Sequence, residues 1–440
     1  MSLRLAPICT ACLIAFPLLA SAAPLDPAQV KQIVGSQFDT FQQDHKTITE
    51  IESPTGDKAA SLKMAQWVKD KLEPLGFRVE FRPNEKGTHV IATRQGKGAL
   101  RVLMLGHTDT VQPVGNLAKK PYSYDPKTGY AQGPGAGDSK ASVAQLIHFA
   151  RSLDQLKFDN YKQLTFYFDA EEETGSATED AILNELAQKH DLTLSVDSSP
   201  TDGGMNTERK WVVNYEIEVE GVTGHAGNSA QAASSATVEL ANQIVRIMKL
   251  ASPLPKNPAD YTNEALQKKG IEDHGQFIPP ITINVGVIKT SNTKVNSIPK
   301  DAYAKLDIRG FKTAEKDQID AALKKIAATP TVAGTKVKLV GPSNYMPPME
   351  KTPAAGRLAE RYKSLMKEHY DIKVTEWATG GVSIGNFTSR YIPTIDGLGI
   401  ETRDQHNLET ETAYLKTFVP RTVTMILLLD NVASGEIKLK

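Results

Sequence analysis

The chain has 440 residues, 51 basic and 51 acidic side chains, 40% apolar residues and 23% charged ones. That length allows two or more domains, and the mix is that of a globular protein rather than a disordered one. The balanced charge leaves no overall field, which argues against a nucleic-acid partner or a strongly anionic surface.

The first 22 residues differ in kind. Arg4 is their only charge, an apolar run covers Ile8 to Ala20, and Ala20-Ser21-Ala22 offers a small-residue cleavage site, so residues 1–22 read as a secretory signal peptide. The run is too short and too poorly flanked for an anchor, and no later segment reaches the ~18 apolar residues of a membrane span. The protein is expected to be exported, periplasmic or secreted, after cleavage near Ala22. Cys9 and Cys12, the only cysteines, leave with the leader. Any metal site in the mature chain is then built from His, Asp and Glu.

A polar helical stretch follows, and Ser61 to Leu72 has helical spacing in Leu62, Met64, Ala65, Val68 and Leu72, ending near Pro74 and Gly76. Phe77 to Phe81 and His89 to Thr93 are β-type runs. Arg101 to Val111, RVLMLGHTDTV, reads as a buried central strand running into a His-x-Asp pair. His107 and Asp109 are two apart and leave the same face at the strand's carboxyl end, where open α/β sheets place their sites. Asp109 is placed to fix the tautomer of a metal-binding His107, although such a pair taken alone is more often structural.

Gln132 to Lys140, QGPGAGDSK, is not a phosphate loop, because Asp138, Ser139 and Lys140 stand where Gly-Lys-Ser/Thr is needed. Its glycines let the backbone bend and present Asp138 to the same crevice, unless Asp138 simply caps the helix from Ala141 to Leu153. The apolar strand Leu164 to Phe168 ends in DAEEETGS, where three adjacent glutamates repel one another and nearby cations would relieve them. Leu192 to Val196 is another strand, closed by Asp197.

From about Lys210 the order becomes strand (Trp211 to Glu220), helix (Ala236 to Leu250), strands (Ile281 to Ile288 and Ala302 to Arg309), helix (Glu315 to Ala328) and strand (Lys336 to Val340). This βαββαβ order predicts an inserted α+β, ferredoxin-like unit over 209–343, with 23–208 and 344–440 forming a catalytic α/β domain around it. Ala251 to Pro280 carries five prolines and has the length of a lid or binding loop. A helix near Ala354 to Glu368, a glycine loop at Thr379 to Gly385, Ile395 to Ile400, ETRDQHNLETE, and an amphipathic helix from Tyr414 to Asp430 complete the chain.

His107, Asp109, Asp138, the glutamate run, Asp197 and His406 form an all N/O set of the size two metals sharing one carboxylate require. In that order the motifs resemble the co-catalytic di-zinc hydrolases that include glutamate carboxypeptidase of the glucarpidase type, aminoacylase-1 and succinyl-diaminopimelate desuccinylase. The resemblance covers nearly the whole mature chain, and it implies a mixed-sheet zinc-peptidase catalytic domain with a lid and dimerisation domain. It implies two Zn²⁺ ions, replaceable by Co²⁺ or Mn²⁺ in vitro. GHTDTV implies that His107 is a ligand of the first zinc with Asp109 as its orienting partner, and GPGAGDSK that Asp138 bridges. With Gly175 as anchor, the acidic motif implies Glu172 as general base and Glu173 as ligand of the second zinc, in a register that could slip onto Glu171. LSVDSS implies Asp197 at the first zinc, and HNLETE implies His406 at the second.

GVTGHAG resembles the lid motif whose histidine, His225, reaches a partner subunit's active site and polarises the scissile carbonyl, and VNSIP makes Asn296 a weaker candidate for the same role. Gly380 and Gly381 open the loop that in the family lines the substrate carboxylate pocket. Ile384 stands there in place of the usual Asp, and GPSNYMPP lacks an arginine that relatives gripping a C-terminal glutamate carry. Arg309 and Arg403 are candidate carboxylate anchors, each also readable as a structural ion pair. The implied activity is hydrolysis of an amide bond next to a free carboxylate, on a peptide or N-acyl amino acid, by a homodimer. An N-acyl amino-acid deacylase or dipeptidase is the alternative within the class, and an inactive metal- or peptide-binding relative is the alternative outside it.

Overall fold

The computed structural model describes residues 24–176, 180–200, 203–253 and 278–439. The expected leader lies outside these residues, and so does 254–277, most of the proline-rich stretch.

Three helices lead the chain, Pro27–Gly35, Phe38–Thr49 and Lys58–Leu72. Asp26 and Asp57 cap the first and third by accepting backbone N–H bonds that the first turn leaves unpaired. The third helix buries Ala60, Met64, Ala65, Val68 and Leu72. Leu62, expected on that face, is 48% exposed. Successive helical residues turn by about 100°, so two residues' separation places it on the far side from Met64.

The main sheet is mixed, as expected, and runs in the order Arg78–Pro83, Thr88–Gln95, Gln163–Asp169, Arg101–His107, Leu192–Ser195 and Thr394–Ile395. The last four strands are parallel, and Thr88–Gln95 is antiparallel to its neighbours. Val102 and Met104 of the strand Arg101–His107 enter the main core, beside Leu146 and Phe149 of the helix Ala141–Gln155. Leu103 and Leu105 point to the opposite face and pack with Tyr167, Leu183 and Phe387. Burial on both faces explains a run that is apolar without alternation. Each such side chain contributes ~1.5–3 kcal/mol, which makes this strand a stiff platform. His107 pairs with Asp169 across to the neighbouring strand, and Leu192–Ser195 ends on the other side. The segments leaving these three strands therefore emerge together.

A small sheet of Ser123–Tyr124, Tyr130–Gln132, Thr412–Tyr414 and Glu401–Arg403 ties the loop after Gln132 to the segment around His406. Two expectations change here. Ile395 to Ile400 is not one strand, because after Ile395 the backbone of Asp396 exchanges hydrogen bonds with Asn206 and the chain then turns at Gly397, φ +68°, before joining this second sheet at Glu401. The last helix begins later, at Phe418, and is buried nearly all round rather than amphipathic. It packs against the helices Pro27–Gly35, Ala141–Gln155 and Pro353–Tyr370. Even Arg421 is buried there, its guanidinium donating to the carbonyls of Gly203, Gly204 and Gly397.

Trp211–Glu220, Thr282–Lys289, Asp301–Gly310 and Lys336–Met346 form a separate antiparallel sheet, with Trp211–Glu220 and Asp301–Gly310 in its centre. The helices Ala236–Met248 and Thr313–Ala327 cover one face, and Trp211, Val213, Tyr215, Ile217 and Val219 alternate into a core with Leu240, Ile247 and Leu323. The element order is the expected βαββαβ, with the last strand continuing irregularly to Met346 instead of stopping at Val340.

Candidate metal centre

His107 sits at the carboxyl end of the central strand, its ring almost wholly buried. Nε2 lies 3.2 Å from Asp138 Oδ1 and 3.7 Å from Asp197 Oδ1. The other oxygen of Asp138, Oδ2, lies 3.1 Å from His406 Nε2, which is 3.3 Å from Glu173 Oε2. Two triads thus share Asp138: His107, Asp138 and Asp197, and Asp138, Glu173 and His406. Asp138 reaches this point through a tight turn at Gly135, φ +67°, where a Cβ would stand 2.9 Å from Thr110 Oγ1. The buried Lys140 closes the loop's base, donating from Nζ to the carbonyls of Ile51 and Pro134, and burial lowers its pKa to about 7.

The donor set can be tested for a metal. Tetrahedral N and O ligands at ~2.0–2.1 Å from a zinc ion stand about 3.3 Å from one another. An imidazole N–H bonded directly to a carboxylate stands at about 2.7–2.9 Å. The observed separations of 3.1 to 3.7 Å match the first arrangement. Imidazole and carboxylate ligands without sulfur suit a divalent ion such as zinc.

Asp109 does more than orient His107. His107 Nδ1 lies 3.2 Å from the main-chain oxygen of Asp109 and 3.4 Å from its carboxylate. The carboxylate itself accepts from Thr55 Oγ1 at 2.6 Å and from the amides of Glu172 and Glu173 at 3.2 Å each. It therefore also sets the acidic turn Glu172–Thr174, which Gly175 ends at φ +94°. That turn separates the three glutamates: Glu171 is buried, Glu173 reaches His406, and Glu172 lines the cavity without joining either triad.

The electrostatics follow from crowding. Burial, reinforced by the carboxylates of Asp197, Glu173 and Asp138, pushes Glu172 well above the usual carboxylate range, with His107 opposing. Burial would also raise Asp138, but hydrogen bonds to His107 and His406 outweigh it and hold Asp138 well below that range. The bonds to Asp138 and Glu173 raise His406 to about 10. Burial opposes the charged form of His107, yet Asp109, Asp138 and Asp197 carry it well above its ordinary value. Such a buried surplus of carboxylates is relieved by cations.

The cavity over the two triads has a volume of about 810 Å³ and includes Ser198, Arg209, Arg309, Trp377, Gly381 and Arg403 in its wall. Residues 207–335 match the peptidase dimerisation domain of the M20 type. Carboxypeptidase G2 of Pseudomonas sp. (strain RS-16) is 24% identical over 386 residues, 86% of this chain and 85% of that protein. Succinyl-diaminopimelate desuccinylase of Zymomonas mobilis is 26% identical over 373 residues, 81% of this chain and 88% of that protein. Residues 207–335 thus have the pattern of an M20-type peptidase dimerisation domain, and over most of its length the chain is similar to metallohydrolases that carry one. Its fold is also that of the M20 family metallo-carboxypeptidase Sso-CP2 from Sulfolobus solfataricus, with a TM-score of 0.64 at 14% identity over 89% of this chain and 98% of the other.

The remaining candidate residues fall into distinct places. Arg309 is engaged, bonding Asp307 through Nε and Nη2 and donating from Nη1 to the carbonyl of Gly380 at 2.9 Å. Arg403 lies half-exposed over the ring of Tyr130, 3.7 Å from Glu401. His225 and Asn296 do not line the cavity of their own chain. They lie together through the pairing of Gly224–His225 with Ser297–Ile298 and the bond from Ala226 N to Asn296 O. His225 Nδ1 accepts from the amides of Gly227 and Asn228, so the neutral ring carries its proton on Nε2, as an exposed donor.

Sequence reasoning passed over two residues. Arg209 is buried in the cavity wall, donating to Asp396 at 2.5 Å and lying 3.4 Å from the Asp197 carboxylate. Nothing in its local sequence marks it. Glu411, inside the HNLETE motif, is buried and accepts from the amides of Gly137, Asp138 and His406; burial and Asp138 raise its pKa to about 7. Its signal was an acid within a ligand motif, next to a strand.

Proposed function

We propose that this chain is a two-zinc exopeptidase or amidohydrolase cleaving an amide next to a free carboxylate, in the manner of a glutamate carboxypeptidase. The observation that carries the reading is Asp138 set between two imidazoles with the unligated carboxylate of Glu172 beside them. Relatives named carboxypeptidase and desuccinylase support the same class. When bound, two zinc ions would supply a polarised carbonyl and a water acidic enough to deprotonate near neutral pH. His107, Asp138 and Asp197 would hold one ion, and Asp138, Glu173 and His406 the other. Glu172 accepts the proton of the attacking water on its carboxylate and returns it to the leaving nitrogen, a task its raised pKa suits. His225 of a second copy would donate a hydrogen bond from its Nε2–H to the carbonyl oxygen, keeping its proton.

Pairing of two chains is supported by the dimerisation domain and by the exposed apolar stripe Val238, Val245 and Met248 on the helix Ala236–Met248. No helix among the described residues is long and apolar enough to cross a membrane. We also propose export, on the strength of the leader-like residues 1–22. The decisive experiment is hydrolysis of C-terminal dipeptides, N-acyl amino acids and folyl-type glutamates, with metal content measured on the same sample. Turnover lost on chelation and restored by zinc supports the class, and the preferred substrate selects the branch. Two bound metals without turnover on any substrate would favour a binding protein instead.

A further inference from the structure

Glu411 lies five residues after His406, at the entry to the strand Thr412–Tyr414, and is 2% exposed. Its Oε1 accepts from the amides of Gly137 at 2.9 Å and Asp138 at 3.2 Å, and its Oε2 accepts from the amide of His406 at 3.2 Å. One carboxylate thus spans two loops whose ligands are 268 residues apart in the chain. It belongs to neither ligand triad. His406 needs such support, because its backbone is left-handed, φ +69°, a region that disfavours residues with a Cβ. Its amide is held by Glu411 and its carbonyl by Gln112 Nε2 at 3.0 Å. His107 needs no comparable clasp, being fixed by a strand hydrogen-bonded on both sides.

We propose that Glu411 is a positioning residue for the second half of the metal centre, clasping the Asp138 loop and the His406 loop at the separation that a second metal requires. The proposal rests on the two-metal reading above. Its chemical core is that a carboxylate accepts at both oxygens whereas a carboxamide accepts at one. Replacing Glu411 by glutamine therefore releases one loop while leaving the side chain's size unchanged.

The test is zinc binding to the full-length chain, followed by calorimetry and by metal content after gel filtration, with cobalt(II) absorption recorded on the same proteins. The wild type takes up two equivalents. In Glu411→Gln the first is expected to bind within about threefold of wild type, and the second about 10–100-fold more weakly. The cobalt spectrum of the second equivalent should change with it. Glu411→Asp keeps the charge but is one methylene shorter, so it should rescue the second equivalent only in part. Glu409→Gln, exposed on the same loop, should match wild type. Two equivalents with wild-type affinity in Glu411→Gln would overturn the clasp. So would equal weakening of both together with a lowered melting temperature, which would mark a role in the fold alone. If Glu411→Gln does not fold, Glu411→Asp is judged by the same criteria. A wild type that binds one equivalent would refute the two-metal reading, and the clasp with it.

Discussion

The two halves of the candidate metal centre each combine one imidazole with two carboxylates and share Asp138, but they are built on different foundations. His107 ends a strand buried on both faces, and its side chain is 1% exposed. His406 sits on a loop with its side chain 55% exposed and its backbone left-handed. Asp197 follows a strand directly beside that of His107, while Glu173 projects from a short turn held by the carboxylate of Asp109. A ligand on a strand inherits its position from packing and ladder bonds. A ligand on a loop depends on a few named contacts, here Glu411 and Gln112 for His406. The lesson is that one half-site is rigid by construction and the other by individual hydrogen bonds.

The largest effect should come from the residue common to both halves. Asp138→Ala should abolish measurable turnover and remove both metals, as read by metal analysis; one fully retained metal would show that the halves are independent. Glu172→Gln should lower kcat by about 10²–10⁴-fold while both metals stay, because Glu172 lies outside both triads. Retained activity would move the base to another glutamate. The metal-free protein offers a sharper contrast in stability. His107→Ala should cost about 3 kcal/mol in denaturant unfolding, since it removes the buried cation that Asp138 and Asp197 share and leaves each with one remaining cationic partner, His406 and Arg209. His406→Ala, at an exposed site, should change stability far less, and equal losses would contradict the contrast.

The smallest effect is on pH dependence. The carboxylates raise His406 to about 10, so at pH 7 its metal-free ring is protonated and must lose that proton on binding. Zinc affinity of the second half-site should therefore rise with pH up to about 10, by about tenfold per pH unit for one proton released. Calorimetry in buffers of different ionisation enthalpy would show the proton release, and a flat profile would remove this account.

Much of the centre was legible in the chain because strand-end ligands follow recognisable runs. His107 and Asp197 each close a short apolar segment, Asp138 follows a glycine-rich turn, and the acids after Phe168 precede Gly175. Which glutamate of the three faces the metals was not legible, since adjacent residues carry the same side chain. The turn of Glu172–Thr174, pinned by Asp109, separates them. The last helix shows the same limit. Its polar residues suggested an exposed face, but Arg421 finds its partners among carbonyls more than 200 residues earlier as well as close by.

By itself the sequence determined most of the strands, the inserted βαββαβ unit and the order of the candidate metal-ligating residues, because hydrophobic periodicity and turn chemistry act over a few neighbours. Only the tertiary structure decided that Arg209 stands beside Asp197, that Asp109 sets the acidic turn and that Glu411 joins the Asp138 and His406 loops. Those roles rest on hydrogen bonds and ion pairs between segments far apart in the chain. Such bonds are directional and short-ranged, so they exist only once packing has brought their partners together.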